Sequence, residues 1–282
     1  MKRILVFLTL IFPILLSAQN LEIGLQFGAS GYQGDLSPKQ TLGSISTLHP
    51  SLGFYARYNA NRYFGYRVNF SYGTVSGDDA NAKDEDRKSR NLSFRSKILE
   101  LALIGEYNIF GRHKRLTPYL FGGVAVFRFN PEANYQGRLI ELQPLGTEGQ
   151  GIDGFGEKYK RTQFAIPMGA GLKFAVNKNF NVSIEMGFRK LFTDYLDDVS
   201  GNYVNFLELT RGNGEQAALL SNRTGEFLGT EPIFVETGTQ RGNPETKDWY
   251  FISNISVSYN LWNDKDSWSG QAEFNEYGCP KF

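Results

Sequence analysis

From residue 21 onward the chain alternates apolar and polar residues with period two, the pattern of strands that have one greasy and one polar face. In 21–30, Leu21, Ile23, Leu25 and Phe27 oppose Glu22, Gly24 and Gln26. In 51–59, Leu52, Phe54 and Tyr58 oppose Gly53, Tyr55 and Arg57; in 63–74, Phe64, Tyr66, Val68 and Phe70 oppose Gly65, Arg67 and Asn69. The segment 97–109 sets Leu99, Leu101 and Leu103 against Glu100, Ala102 and Glu106, with Ile104 as an apolar exception. In 117–130, Tyr119, Phe121, Ala125, Phe127 and Phe129 form the face read as apolar, and Gly122, Val124, Val126 and Arg128 the other, less cleanly polar one. The segment 163–175 sets Phe164, Met168 and Leu172 against small residues and Lys173; 180–192 sets Val182, Ile184 and Met186 against Ser183, Glu185 and Arg189. The last, 249–262, sets Phe251, Ile255 and Val257 against Asn254, Ser256 and Ser258.

The placement of charge selects between architectures. A soluble sandwich hides its apolar faces, whereas a membrane barrel turns them to lipid and keeps polar residues within. Glu22, Arg57, Arg67, Glu100, Glu106, Arg128, Lys173, Glu185 and Arg189 all fall on the polar faces, with mixed signs. In a narrow barrel they would fill the lumen as an ion-pair network and leave no open pore. The connections agree: short turns at 60–62, 110–116 and 177–179 alternate with long ones at 33–50, 75–96, 131–162 and 193–248. Outer-membrane barrels have short periplasmic turns and long extracellular loops. The reading is therefore an all-β, eight-stranded antiparallel transmembrane up-and-down β-barrel with long extracellular loops and both termini periplasmic. Tyr58, Tyr63, Phe64, Tyr107, Phe110, Tyr119, Phe174, Phe180, Tyr259 and Trp262 cluster near the short-turn edge as an aromatic girdle.

Composition narrows the function. The 30 basic and 29 acidic residues give a net charge of +1, which provides no field for binding nucleic acid. One cysteine and two histidines make zinc or thiol chemistry unpromising, so no cofactor, metal or enzymatic activity is expected. Residues 1–18 read as a secretory signal peptide: Lys2 and Arg3 precede an apolar run that ends at Leu16-Ser17-Ala18. The barrel then spans 19–262, with a periplasmic C-terminal tail over 263–282. His49 falls in a long loop and His113 in a short turn, so they sit on opposite sides of the membrane and cannot share a catalytic arrangement. Asp194, Asp197 and Asp198 suit a hard cation, or else cap a turn or stay solvated. The mixed-charge run 78–88 reads as solvated, and the basic stretch 158–161 as a weak candidate for contact with lipopolysaccharide phosphates.

Several stretches also carry a resemblance. Gly28-Ala29-Ser30-Gly31-Tyr32-Gln33-Gly34-Asp35-Leu36, Thr117-Pro118-Tyr119-Leu120-Phe121-Gly122-Gly123, Thr147-Glu148-Gly149-Gln150-Gly151 and Thr193-Asp194-Tyr195-Leu196-Asp197-Asp198-Val199 resemble, in order, the PorG family of outer-membrane barrels. That resemblance implies a component of the type IX secretion apparatus that ties a periplasmic PorK–PorN ring to the outer membrane. The tail, ending Tyr277-Gly278-Cys279-Pro280-Lys281-Phe282, would then be a docking peptide, with Cys279 a candidate for an intermolecular disulfide. The alternative is a small barrel whose extracellular loops bind a surface ligand, as an adhesin or by contacting lipopolysaccharide.

Overall fold

The computed structural model describes residues 20–37, 47–112 and 114–261. Its strands are β1 (Leu21–Gln33), β2 (His49–Asn59), β3 (Phe64–Asp78), β4 (Ser93–Asn108), β5 (Leu116–Tyr135), β6 (Arg138–Glu141), β7 (Thr162–Ala175), β8 (Phe180–Leu191) and β9 (Trp249–Asn260). They pair antiparallel in the order β4-β3-β2-β1-β9-β8-β7-β5, and β4 pairs with β5 to close the barrel at eight strands. β6 stays outside that ring, forming a hairpin with the part of β5 that runs past the barrel rim. Each of the eight has 11 to 20 residues, enough to cross a bilayer on a tilt.

The polarity is inverted, as a lipid-facing barrel requires. Leu25, Phe27, Phe54, Leu101, Leu103 and Ile184 are each more than half exposed, while Glu22, Arg57, Arg67, Glu100 and Glu106 are buried. Such an apolar belt is the surface that lipid acyl chains solvate. Among the described residues no helix is long and apolar enough to cross a membrane; the strands make the crossing.

Strand β5 departs from the sequence reading. Tyr119, Phe121, Ala125, Phe127 and Phe129 point inward and are buried, and Leu120, Val124 and Val126 face lipid. Arg128, expected in the lumen, is exposed on the outer wall. Both faces of β5 are apolar because the upper lumen is packed with aromatic rings, so period-two contrast does not distinguish them. Tyr119 accordingly leaves the girdle, which keeps Tyr58, Tyr63, Phe64, Tyr107, Phe110, Phe174, Phe180 and Tyr259 on the outside.

The long connections are shorter and more structured than the pattern suggested. β3 and β4 continue beyond the rim, and the charged run between them folds into a 3-10 turn (Asp79–Asn81) and helix α1 (Glu85–Arg90). Asp84 caps α1 by accepting from the Asp86 N–H. The connection after β8 carries α2 (Phe206–Asn213), α3 (Glu215–Ser221) and α4 (Thr224–Leu228). His49 is not a loop residue: it opens β2 with its Nε2 2.7 Å from Ser76 Oγ. The signal segment, His113, Trp262, the tail and Cys279 lie outside the described residues.

Candidate functional site

The lumen is filled by two ionic layers. Cross-strand register puts Arg57 opposite both Glu22 and Arg67. Two arginines side by side repel, and the carboxylate of Glu106 sits between them. Arg57 Nη2 donates to Glu106 Oε1 at 3.0 Å, and Arg67 Nε lies 3.2 Å from the same oxygen. Arg57 Nη1 also donates to Glu22 at 2.7 Å, and Arg67 forks onto both oxygens of Glu185 at 2.5 and 3.1 Å. Lys173 completes the layer, 4.0 Å from Glu22 and from Glu106. Three cations thus face three carboxylates.

A second layer pairs Arg189 with Glu100 through two bonds of 3.0 and 3.1 Å. Tyrosines that sequence reading missed complete both layers: Tyr119 donates to Glu185 and Tyr250 to Glu100, each at 2.5 Å. Glycine makes room for such rings. Gly171 lies opposite Tyr119, and a Cβ there would come within 2.4 Å of its ring; Gly24 stands in the same relation to Tyr55. Of the nine charges assigned to the lumen from sequence, the structure brings eight together and places Arg128 outside.

Above the ions, Phe127, Phe129 and Tyr250 fill the bore, and Phe129, Tyr159 and Tyr195 continue it as a stack, with centroids 6.1 and 4.7 Å apart. The stack leads into a cap made by the loops after β6 and β8. Asp198, held at φ +67°, accepts from Thr147 at 2.5 Å and Tyr159 at 2.6 Å. Glu148 accepts from the Ser200 and Gly201 N–H groups and from Arg241, which also donates to the Asp198 carbonyl. Tyr32 donates to Asp197 at 2.5 Å and also contacts Asp248 at 3.2 Å, while Asp194 accepts from Ser200. Arg90 of α1 grips Asp79 and donates to the carbonyl of Arg241, tying the β3–β4 connection into the same structure.

The aspartates are therefore neither solvated nor a cation cage. They are buried acceptors with separate partners, and among the described residues no group of three or more His, Cys, Asp or Glu is placed to hold a metal ion. Burial pushes the carboxyls of Asp194 and Asp198 up to about 6, and those of Asp197 and Asp248 well above the usual range, with the neighbouring Asp197 adding to the effect on Asp248. Chemically, the arrangement seals: ion pairs close the bore from its short-turn end upward, aromatic rings its upper part, and hydrogen-bonded loops its mouth.

Residues 1–220 match the family model described as "Domain of unknown function (DUF6089)". No curated protein matches the sequence. Among solved structures, the chain is similar to Neisserial surface protein A, at 11% identity and a TM-score of 0.42, over 86% of this chain and 97% of that one. It is also similar to the attachment invasion locus protein Ail of Yersinia pestis in complex with the heparin analogue sucrose octasulfate (11%, TM-score 0.40, 85% and 97%). A third is outer membrane protein W of E. coli (12%, TM-score 0.36, 84% and 97%).

Proposed function

The chain belongs to the DUF6089 family, and we propose that it serves in the outer membrane as a non-conducting structural barrel, the membrane anchor of a type IX secretion apparatus. The observation that carries this reading is the sealed bore. A barrel closed by balanced buried ion pairs, stacked rings and a hydrogen-bonded cap is built to stay shut, which suits an anchor and not a pore. Support also comes from the two most distinctive of the stretches that resemble PorG barrels. Residues 147–151 and 193–199 meet in the cap, where Thr147 bonds Asp198 and Glu148 bonds the backbone just beyond the second stretch.

The partner in this reading is a PorK–PorN-like periplasmic ring, engaged from the short-turn side through the residues after Trp262. Affinity purification of the full chain from membranes, with partners identified by mass spectrometry, tests it. Recovery of periplasmic ring proteins is expected, with their loss and loss of secretion when the chain is truncated at Asn263. Recovery of the barrel alone, with secretion intact in the truncated strain, would overturn it. A reductant-sensitive adduct that disappears in Cys279→Ser would show that the contact is covalent.

A second reading, binding of a surface ligand by the extracellular loops, is favoured by one feature. Leu207, Phe227, Leu228 and Phe234 are each at least half exposed in and just after the α2–α4 region. Under it the truncated chain keeps its activity, and substitutions at these four positions abolish adhesion to the ligand.

A further inference from the structure

The outer wall of the barrel is basic on one side only. β1, β2, β3 and β9 carry no outward Lys or Arg: Arg57 and Arg67, the two basic residues on these four strands, are in the lumen. The contiguous strands β4, β5, β7 and β8 are different. Lys97 on β4, Arg128 on β5, Lys160 just before β7 and Lys190 on β8 are all exposed to the outside, at or near the loop ends of their strands. Register groups three of them, while Lys190 stands opposite Ile166, four residues further along β7 from Thr162 towards the short turns. Arg128 stands opposite Leu99 on one side and Thr162 on the other, which puts Lys97 and Lys160 diagonally above it on its two neighbours.

Two features set these cations apart from ordinary surface charge. Arg128, Lys160 and Lys190 have no carboxylate partner among the described residues, and Lys97 has only a 3.9 Å contact with Glu132. Directly below Arg128 comes the row Leu101, Val126 and Phe164, exposed apolar side chains that face acyl chains. Lys97, Arg128 and Lys160 therefore sit at the level where the hydrocarbon ends and headgroups begin. An outward charge is costly at the bilayer midplane but nearly neutral at the interface, and becomes favourable where a phosphate meets it, since guanidinium and ammonium donors form short, charge-assisted bonds with phosphate oxygens.

We infer that Lys97, Arg128 and Lys160 form a binding site for the phosphorylated headgroup of an outer-leaflet glycolipid, whose acyl chains lie against Leu101, Val126 and Phe164. The chemistry is phosphate recognition, and the apolar row beneath assigns the phosphate to a membrane lipid and not to a soluble anion. The site lies on the wall of the barrel away from the short turns, so it is independent of the secretion reading.

The test uses the purified full chain in neutral detergent micelles, with binding read by the thermal unfolding midpoint and by co-elution. The probes are diphosphorylated lipid A, the same lipid A stripped of phosphate, and inorganic pyrophosphate. Only the first is expected to raise the midpoint. Each cation near an anionic headgroup layer is worth roughly fivefold in binding, so Arg128→Gln with Lys160→Gln should weaken lipid A binding by about 25-fold. Neither side chain has an ion-pair or hydrogen-bond partner among the described residues, so the fold should survive, and retained heat-modifiable migration verifies it. Lys114→Gln with Arg115→Gln, at a periplasmic turn, should leave binding unchanged. Equal binding of dephosphorylated lipid A, equal stabilisation by pyrophosphate, unchanged affinity in the outer-wall variant, or loss in the periplasmic variant would each overturn the site.

Discussion

Glu106→Gln is the sharpest perturbation of the lumen. The carboxylate is buried and serves all three cations of its layer: Arg57 at 2.8 and 3.0 Å, Arg67 at 3.2 Å and Lys173 at 4.0 Å. The amide keeps the shape but removes one of three negative charges. It leaves a net positive charge among buried groups, with an NH2 group aimed at guanidinium donors. Breaking a buried ion pair from one side costs about 3–5 kcal/mol, because the abandoned charge stays desolvated. The partly exposed Glu226, paired with Arg223 at 2.7 Å, provides the contrast, since Glu226→Gln should cost less than about 1 kcal/mol. Equilibrium unfolding in urea from lipid vesicles, followed by tryptophan fluorescence, reads both. A cycle with Lys173→Met sharpens the test: removing one cation as well restores two against two, so the double variant should lose less than the sum of the singles by at least about 1 kcal/mol. A loss below 1 kcal/mol for Glu106→Gln, or strict additivity in the cycle, would refute the view that charge balance holds the plug together.

Ile184→Arg, at a lipid-facing position more than half exposed, should lower stability by about 2–4 kcal/mol in the same unfolding assay. Ser183→Arg should also be damaging, because Ser183 is buried in the lumen 2.6 Å from Ser256 and has no room for a guanidinium; wild-type stability there would contradict the inward assignment. The cap should loosen as pH rises. The Asp198 carboxyl is raised from 3.8 to about 6, so folding favours its protonated form, and that stabilisation is complete below about pH 4 and lost above about pH 6. The full span is about 3 kcal/mol. Hydrogen exchange at the Ser200 and Gly201 amides, corrected for intrinsic rate, should show weaker protection at pH 8 than at pH 5, and Asp198→Asn should flatten the difference. Planar-bilayer recordings should show no steady conductance of porin size, and a large stable channel would contradict the sealed bore.

The strands were legible because a bilayer enforces one rule along the whole length of each. On β1, β2, β3, β4 and β8 a lipid-facing Leu, Phe or Ile alternates with a Glu, Arg, Asn or Ser, and a one-residue slip would put an ion in hydrocarbon. On β5 that rule loses its force. Its inward Tyr119, Phe121, Phe127 and Phe129 are as apolar as its outward Leu120, Val124 and Val126, so Arg128 is the sole charged guide within 117–130, and it lies at the headgroup boundary where an outward charge is tolerated. A different signal was available in the glycines. Gly24 and Gly171 fall on polar faces where no side chain is needed, and each is covered by a tyrosine from the adjacent strand. Pairing an inward glycine with a large ring across the ladder would have turned Tyr119 toward the lumen.

The cap could not be read in the same way, because its bonds join positions that no local period connects. Thr147 and Asp198 are 51 residues apart, Arg241 and Glu148 are 93, and Tyr32 and Asp248 are 216. An aspartate in a long loop is ordinarily solvated, so Asp194, Asp197 and Asp198 looked like surface charge. What reverses that expectation is the barrel beneath them. A bore ending in the rings of Phe127 and Phe129 presents an apolar rim that water does not wet well, and loops folding over it bury whatever polar groups they carry. Those groups must then find donors inside the cap, which Tyr32, Thr147, Tyr159 and Ser200 supply. The aromatic plug and the buried carboxylates are in this sense one device, and a change that makes the rim polar, such as Phe129→Gln, should release the cap as well as loosen the bore.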